Sequence, residues 1–151
     1  MFITVELMKE KHLTQVLEIE RASFPIPWSR RSFAEEIHNG LAYYIVAITE
    51  NNLVAGYGGM WLFLDEAQIN NVAVKPELRG LGVGKTLMIY LIGRAVLSGN
   101  RKMTLEVRPT NLAARHLYET LGFVESGYRK RYYIDSGEDA IIMQREGCVS
   151  S

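Results

Sequence analysis

"RGLGVGKT", Arg79 to Thr86, follows a β-rich run ending in "NNVAVKP" and leads into the apolar stretch "LMIYLIGRAVL". Its glycines and its Gly-Lys-Thr ending suggest a phosphate-binding turn, and the kind of turn decides the fold. A P-loop requires Gly-x-x-x-x-Gly-Lys-[Ser/Thr], yet the opening position is Arg79, and no other strand offers a clear acidic magnesium partner. A dinucleotide fingerprint, Gly-x-Gly-x-x-Gly, begins well at Gly80 and Gly82 but meets Lys85; begun at Gly82 and Gly84 it meets Leu87. Both nucleotide readings fail. What survives is Arg79-Gly80-Leu81-Gly82-Val83-Gly84 between a strand and an apolar helix. Glycines admit close backbone approach, and a helix start presents unpaired amides and partial positive charge, so a pyrophosphate suits it. A glycine-rich turn without a ligand is the plain alternative.

Upstream of the loop, Ile3–Met8 alternates weakly as a first strand, and apolar spacing places a helix over Lys9–Arg21. The prolines of "SFPIPWS" interrupt it, and Ser29 caps a second helix that runs to about His38 and stops at Asn39-Gly40. "LAYYIVAIT" and "NLVAGYGGMWLF" form a hairpin turned by Glu50-Asn51-Asn52. "DEAQINNVAV" is a strand ending at Lys75-Pro76. A helix follows from about Gly82 to Leu97. "KMTLEVRP" reads as a buried strand and "TNLAARHLYETLG" as a short helix closed by Gly122. "FVESGYRKRYYI", a turn at Asp135–Gly137 and "EDAIIMQRE" make a C-terminal hairpin. A meander followed by alternating strands and helices predicts a mixed α/β sheet around one core.

The chain has 151 residues, enough for one domain with a real core, and no linker or repeat divides it. Residues 1–146 are expected to form that domain, with 147–151 as a flexible tail. Seventeen basic residues balance seventeen acidic ones, so bulk charge predicts no direct nucleic-acid partner. Basic spots at Arg30–Arg31 and Arg129–Arg131 are local. A lone Cys148 excludes an internal disulfide, and no Cys/His cluster suggests a metal. No apolar run approaches a membrane span or a signal-peptide core, so the expected compartment is the cytoplasm.

Arg-x-x-Gly-x-Gly between strand and helix resembles the acetyl-CoA loop of the GNAT N-acetyltransferase superfamily. "NLAARHLYETLGF" (Asn111–Phe123) is similar to that family's Asn-x-x-Ala-x-x-Leu-Tyr-x-x-x-Gly-Phe stretch, and the order of elements matches over Ile3 to about Glu146. Within the family, "FPIPWS", "LEVRPTN", "RKRYY" and "EDAIIM" look most like the bacterial RimI-type group, which acetylates the N-terminal alanine of a small-subunit ribosomal protein. "FPIPWS" carries an extra Ile-Pro over that group's shorter form. The resemblance implies an α/β (α+β) GNAT fold: a central mixed, mostly antiparallel twisted sheet of about six or seven strands with about four helices. It implies acetyl-CoA as co-substrate, without a metal, and a protein N-terminus as acceptor; the alternatives are a small-molecule amine as acceptor, or a CoA-binding module without catalysis.

The resemblance also assigns roles. Glu106 is the general base, acting through water, and Tyr118 the general acid at sulfur. Backbone groups of Val72, Ala73 and Val74 hold the acetyl carbonyl and pantetheine. Arg79, Gly80, Leu81, Gly82, Val83, Gly84 and Lys85 hold the pyrophosphate, and Asn111 contacts the CoA arm. The residues themselves lend support. Glu106 is a lone acid in "MTLEV", where half-burial would make it a stronger base; an outward-facing or salt-bridged glutamate is the bland alternative. Asn111, Arg115 and Tyr118 share a helix face, with Leu112, Leu117 and Leu121 expected to do the packing. A peptide α-amine titrates at about 7.7–8.0 and lysine near 10.4, so deprotonating lysine costs roughly 3 to 4 kcal/mol more. Tyr132 and Tyr133 either wall a peptide channel or pack across strands. His12, His38 and His116 receive no catalytic role, and Trp28 and Trp61 read as packing anchors.

Overall fold

Alternation of apolar and polar residues builds the strands, and the turns between them set their order. The computed structural model describes residues 1–147; Cys148 and the remainder of the expected tail lie outside them. Seven strands form one sheet: β1 (Ile3–Leu7), β2 (Ala42–Thr49), β3 (Val54–Phe63), β4 (Glu66–Val74), β5 (Lys102–Val107), β6 (Val124–Arg129) and β7 (Ala140–Glu146). Their order is β1-β2-β3-β4-β5-β7-β6. Four α-helices accompany them: α1 (Leu13–Ser23), α2 (Arg30–Ile37), α3 (Val83–Leu97) and α4 (Leu112–Thr120).

Pairing is antiparallel for β1–β2, β2–β3, β5–β7 and β6–β7. Only Leu64 and Asp65 separate β3 from β4, too short a link for any arrangement but a hairpin. The β4–β5 pair is parallel, which demands a crossover, and α3 supplies it. That parallel ladder runs from Glu66↔Lys102 to Gln68↔Thr104. Beyond it, among the described residues, β4 continues to Val74 without a strand partner on that side. The expected mixed, mostly antiparallel sheet is what the chain forms.

The chain divides into two compact units, residues 1–61 with 70–91, and residues 62–69 with those from 92 onward. In the first, α1 and α2 bury Leu13, Val16, Leu17 and Phe33 with Tyr44, Val46 and Tyr57 of the β2–β3 hairpin. Phe33 meets the Tyr57 ring edge-on at 5.6 Å, and Trp28 packs on Phe33 at 5.3 Å. The helix break of "SFPIPWS" is pinned from inside. Glu20, almost fully buried, accepts the Trp28 amide at 2.9 Å and the Tyr57 hydroxyl. Ser29 caps α2 as expected, accepting from the Ser32 amide at 3.1 Å. Gly59 leaves room for the Tyr44 ring: a Cβ there would lie 2.0 Å from it. Trp28 anchors packing as read from the sequence, whereas Trp61 is 44% exposed and donates its indole proton to Glu36.

In the second unit, Met103, Leu105 and Val107 fill one face of β5 and are buried, as are Phe123 and Met143. "KMTLEVRP" is therefore buried on one face only, and Lys102, Thr104 and Glu106 occupy the other. The C-terminal hairpin differs from expectation. β6 ends at Arg129, because Arg131 takes a positive φ of 50° and its amide turns to the Asp139 carboxylate at 2.9 Å. Tyr132 and Tyr133 thus lie in the β6–β7 connection, not in a strand. Their cross-strand packing does not occur; the two rings meet edge-on at 5.0 Å instead.

Candidate active site

The glycine loop belongs to the first unit. A short 3-10 turn, Pro76–Leu78, follows β4, and Arg79 then ties the loop's base to its surroundings. Its Nε donates to the Val74 carbonyl and its Nη2 to the Ser23 hydroxyl, both at 3.0 Å. Gly80 and Gly82 take φ of +80° and +87°, a region L side chains rarely adopt, and a Cβ on either would meet nothing within 4 Å. Val83, buried, plants the first turn of α3 in the core. The Thr86 amide makes the first bond of that helix, donating to the Gly82 carbonyl at 3.0 Å. The amides of residues 82 to 85 therefore precede the ladder, at the positive end of a fifteen-residue helix. Space, unpaired donors and dipole together fit a diphosphate. Val72, Ala73 and Val74 complete β4 just upstream, on the segment without a strand partner on its far side.

Glu106, Asn111 and Tyr118 belong to the second unit. Glu106 is a strand carboxylate and also a salt-bridged one. Its side chain is 12% exposed; Oε1 accepts from Arg129 Nε at 3.1 Å, and Oε2 from Gln68 Nε2 at 2.7 Å. Asn111 caps α4, its Oδ1 accepting from the Ala114 amide at 3.2 Å, which leaves the amide end of the side chain for other partners. Tyr118 is half-buried against Phe123, ring centroids 6.0 Å apart, and burial pushes its phenol up to about 12. At neutral pH it keeps its proton. Leu112, expected to pack, is instead 68% exposed in the first turn of α4. Arg115 instead ties the helix down, donating to the Pro109 carbonyl at 2.9 Å and to Glu125 at 2.7 Å.

Tyr132 and Tyr133 lie near Glu106 in the β6–β7 connection. Burial raises the Tyr133 phenol to about 12, with Tyr132 next and the charge of Glu106 adding to that rise against the opposing pull of Arg108. Burial raises Tyr132 as well, followed by the charge of Glu106. Arg108 stands 4.0 Å over the Tyr133 ring and holds the connecting loop by ion pairs to Asp135 at 2.8 Å and Glu138 at 3.2 Å. The Asp135 carboxyl is held below its usual range by that guanidinium. Sequence reasoning missed Gln68, Thr104 and Arg108 as members of this constellation and saw in Arg129 only local charge. The signal for Gln68 and Thr104 was their shared parity with Glu106 on neighbouring strands, visible only once β4 and β5 pair. Among the described residues, no group of three or more His, Cys, Asp or Glu could hold a metal ion. No helix there is long and apolar enough to cross a membrane.

Residues 13–123 match the Acetyltransferase (GNAT) family, and the chain belongs to it. Its relatives narrow the likeness. It is 37% identical over 142 residues to the [ribosomal protein bS18]-alanine N-acetyltransferase of Escherichia coli (strain K12), covering 93% of this chain and 95% of that one. A protein of Bacillus subtilis (strain 168), given the same activity provisionally, is 42% identical over 140 residues, 92% of each chain. The crystal structure of the Escherichia coli ribosomal-protein-S18-alanine N-acetyltransferase superposes with a TM-score of 0.89 at 32% identity, covering 99% of this chain and 97% of that one. A GNAT superfamily phosphinothricin acetyltransferase from Sinorhizobium meliloti, in complex with AcCoA, gives a TM-score of 0.82 at 27% identity, covering 97% and 89%. This chain is an acetyl-CoA-dependent N-acetyltransferase.

Proposed function

We propose that this enzyme acetylates the N-terminal α-amine of a ribosomal protein, with alanine as the terminal residue. One observation carries the reading: the likeness to relatives named for that activity runs almost end to end, at 37% identity over 93% of the chain. The chemistry of the site is consistent with it. Bound at the glycine loop, acetyl-CoA supplies an acetyl group activated as a thioester. Residues 80 to 85 would hold its diphosphate, with Arg79 bracing the loop, while backbone groups of Val72, Ala73 and Val74 would receive the acyl end and Asn111 the CoA arm. Glu106 would take the proton from the attacking amine, directly or through water, freeing the nitrogen lone pair for the new C–N bond. Tyr118, protonated at neutral pH, would give its proton to the departing sulfur. An α-amine asks far less of a single carboxylate than a lysine does. Tyr132 and Tyr133 would line the approach of the peptide.

A panel of short peptides beginning with Ala, Ser or Met, set beside small amines such as polyamines and read by mass spectrometry, tests the acceptor. The expected product is acetylated alanine peptide; turnover confined to small amines would refute the ribosomal-protein reading. Glu106→Gln and Tyr118→Phe test the chemistry. Each should slow CoA release at least about a hundredfold and about tenfold respectively while acetyl-CoA still binds. Parental rates in both would remove the assigned roles.

A further inference from the structure

Both oxygens of Glu106 are engaged, and the two engagements differ in kind. Oε1 accepts from Arg129, whose side chain is 56% exposed and anchored on an edge strand. Oε2 accepts from Gln68, which is itself held in place. The Thr104 hydroxyl donates to Gln68 Oε1, and Gln68 Nε2 also donates to the Ile69 carbonyl at 3.2 Å. Turning that carboxamide over would set its oxygen against a carbonyl and a carboxylate, neither with a proton to give. The parallel pair Gln68↔Thr104 thereby fixes which end of Gln68 faces Glu106.

We propose that Gln68, oriented by Thr104, is a positioning residue for acetyl transfer: it anchors Oε2 of Glu106, leaving Oε1 to take the acceptor's proton once Arg129 swings aside. This rests on the reading of Glu106 as general base. The amine proton passes to Oε1 and the nitrogen lone pair enters the C–N bond as the thioester C–S bond breaks, the departing sulfur taking the Tyr118 proton; Gln68 keeps both its amide protons throughout. Anchoring matters because a base must stand within hydrogen-bond reach of the proton it removes, and a misplacement of about 1 Å costs on the order of a hundredfold.

The test compares Gln68→Leu, Thr104→Val, Thr104→Ser and Glu106→Gln in the full chain. CoA release is followed across pH with acetyl-CoA and a hexapeptide beginning with alanine, beside thermal melts. Gln68→Leu should lower kcat about tenfold with KM for acetyl-CoA within about twofold of the parent. It should also move the acid limb of kcat/KM to higher pH, since the carboxylate has lost a donor to its charged form. Thr104→Val should move both in the same direction by less, and Thr104→Ser, which keeps the hydroxyl, should match the parent. The proposal is overturned if Gln68→Leu and Thr104→Val retain the parental rate and acid limb while Glu106→Gln is inactive. It is equally overturned if Thr104→Ser loses as much as Thr104→Val, or if rates fall with the acid limb unmoved, for then the residues only pack. A parental rate in Glu106→Gln sinks the general-base reading itself and this inference with it. Should Gln68→Leu not fold, the Thr104 pair decides alone.

Discussion

Replacing Gly82 with alanine separates the geometry of the glycine loop from its mere composition. Gly82 has φ +87°, and a Cβ there meets nothing within 4 Å, so the substitution collides with nothing and pays only for its backbone. That strain is about 1–2 kcal/mol for an L-residue. At roughly 2–4 °C per kcal/mol for a chain of this size, the melting temperature should fall by about 2–8 °C. The loop can relieve the strain by rotating, which would turn the amides of Val83, Gly84 and Lys85 away from a bound diphosphate. Losing one charge-assisted hydrogen bond costs about 1.5–3 kcal/mol. At 1.4 kcal/mol per tenfold, KM for acetyl-CoA should rise about tenfold to a hundredfold. Because the loop grips ground state and transition state alike, kcat should change little. Steady-state CoA release and a thermal melt measure both effects. Gly93→Ala is the control: Gly93 lies within α3, has no crowded Cβ position, and should gain about 0.5–1 kcal/mol. Gly82→Ala with a parental melt and a parental KM would refute the reasoning.

Three further outcomes are expected. Gly59→Ala drives a Cβ into the Tyr44 ring and strains its 3.2 Å bond to Asn71, so it should cost about 2–4 kcal/mol by denaturant melt, and Gly59→Ala with Tyr44→Leu should cost less than the sum. His12 is buried, with Nδ1 accepting from the Lys9 amide at 2.9 Å and Nε2 donating to Glu6 at 3.1 Å. Burial holds its pKa below the ordinary value despite Glu6, so its stabilisation is present above about pH 6.5 and is lost as pH falls through the lowered value; His12→Gln should flatten the melting temperature across that window. If residues 1–146 are one cooperative domain, calorimetry should record a single transition with equal calorimetric and van't Hoff enthalpies, whereas two transitions would divide the chain.

Local chemistry announced much of this fold. Ser29 as a cap, Asn51-Asn52 as a turn and the glycines before α3 each act within a few residues, so their consequences can be read from their neighbours. Residues that act over long separations could not be read that way. "YRKRYY" has the composition of a strand, yet Arg131 turns away into a loop with a positive φ, and its amide donates to the Asp139 carboxylate. Arg108 holds that loop through Asp135 and Glu138, a contact spanning about thirty residues that no periodicity encodes. Leu112 looked like core because α4 is amphipathic on average, yet its place in the first turn leaves it in solvent. Within the candidate site, Glu106 and Tyr118 stood out through their surrounding motifs. Gln68 and Thr104 did not, since their meaning depends on the register of two strands that α3 separates in the chain.

Strand order has a consequence for synthesis. β7 is made last, yet it lies between β5 and β6 and makes a ladder with each. Val124–Arg129 therefore emerges from the ribosome with its sheet neighbour not yet translated, and the β5 edge carrying Glu106 stays open on that side until Ala140–Glu146 follows. The ladder beside Glu106 thus closes only after Ala140–Glu146 has emerged.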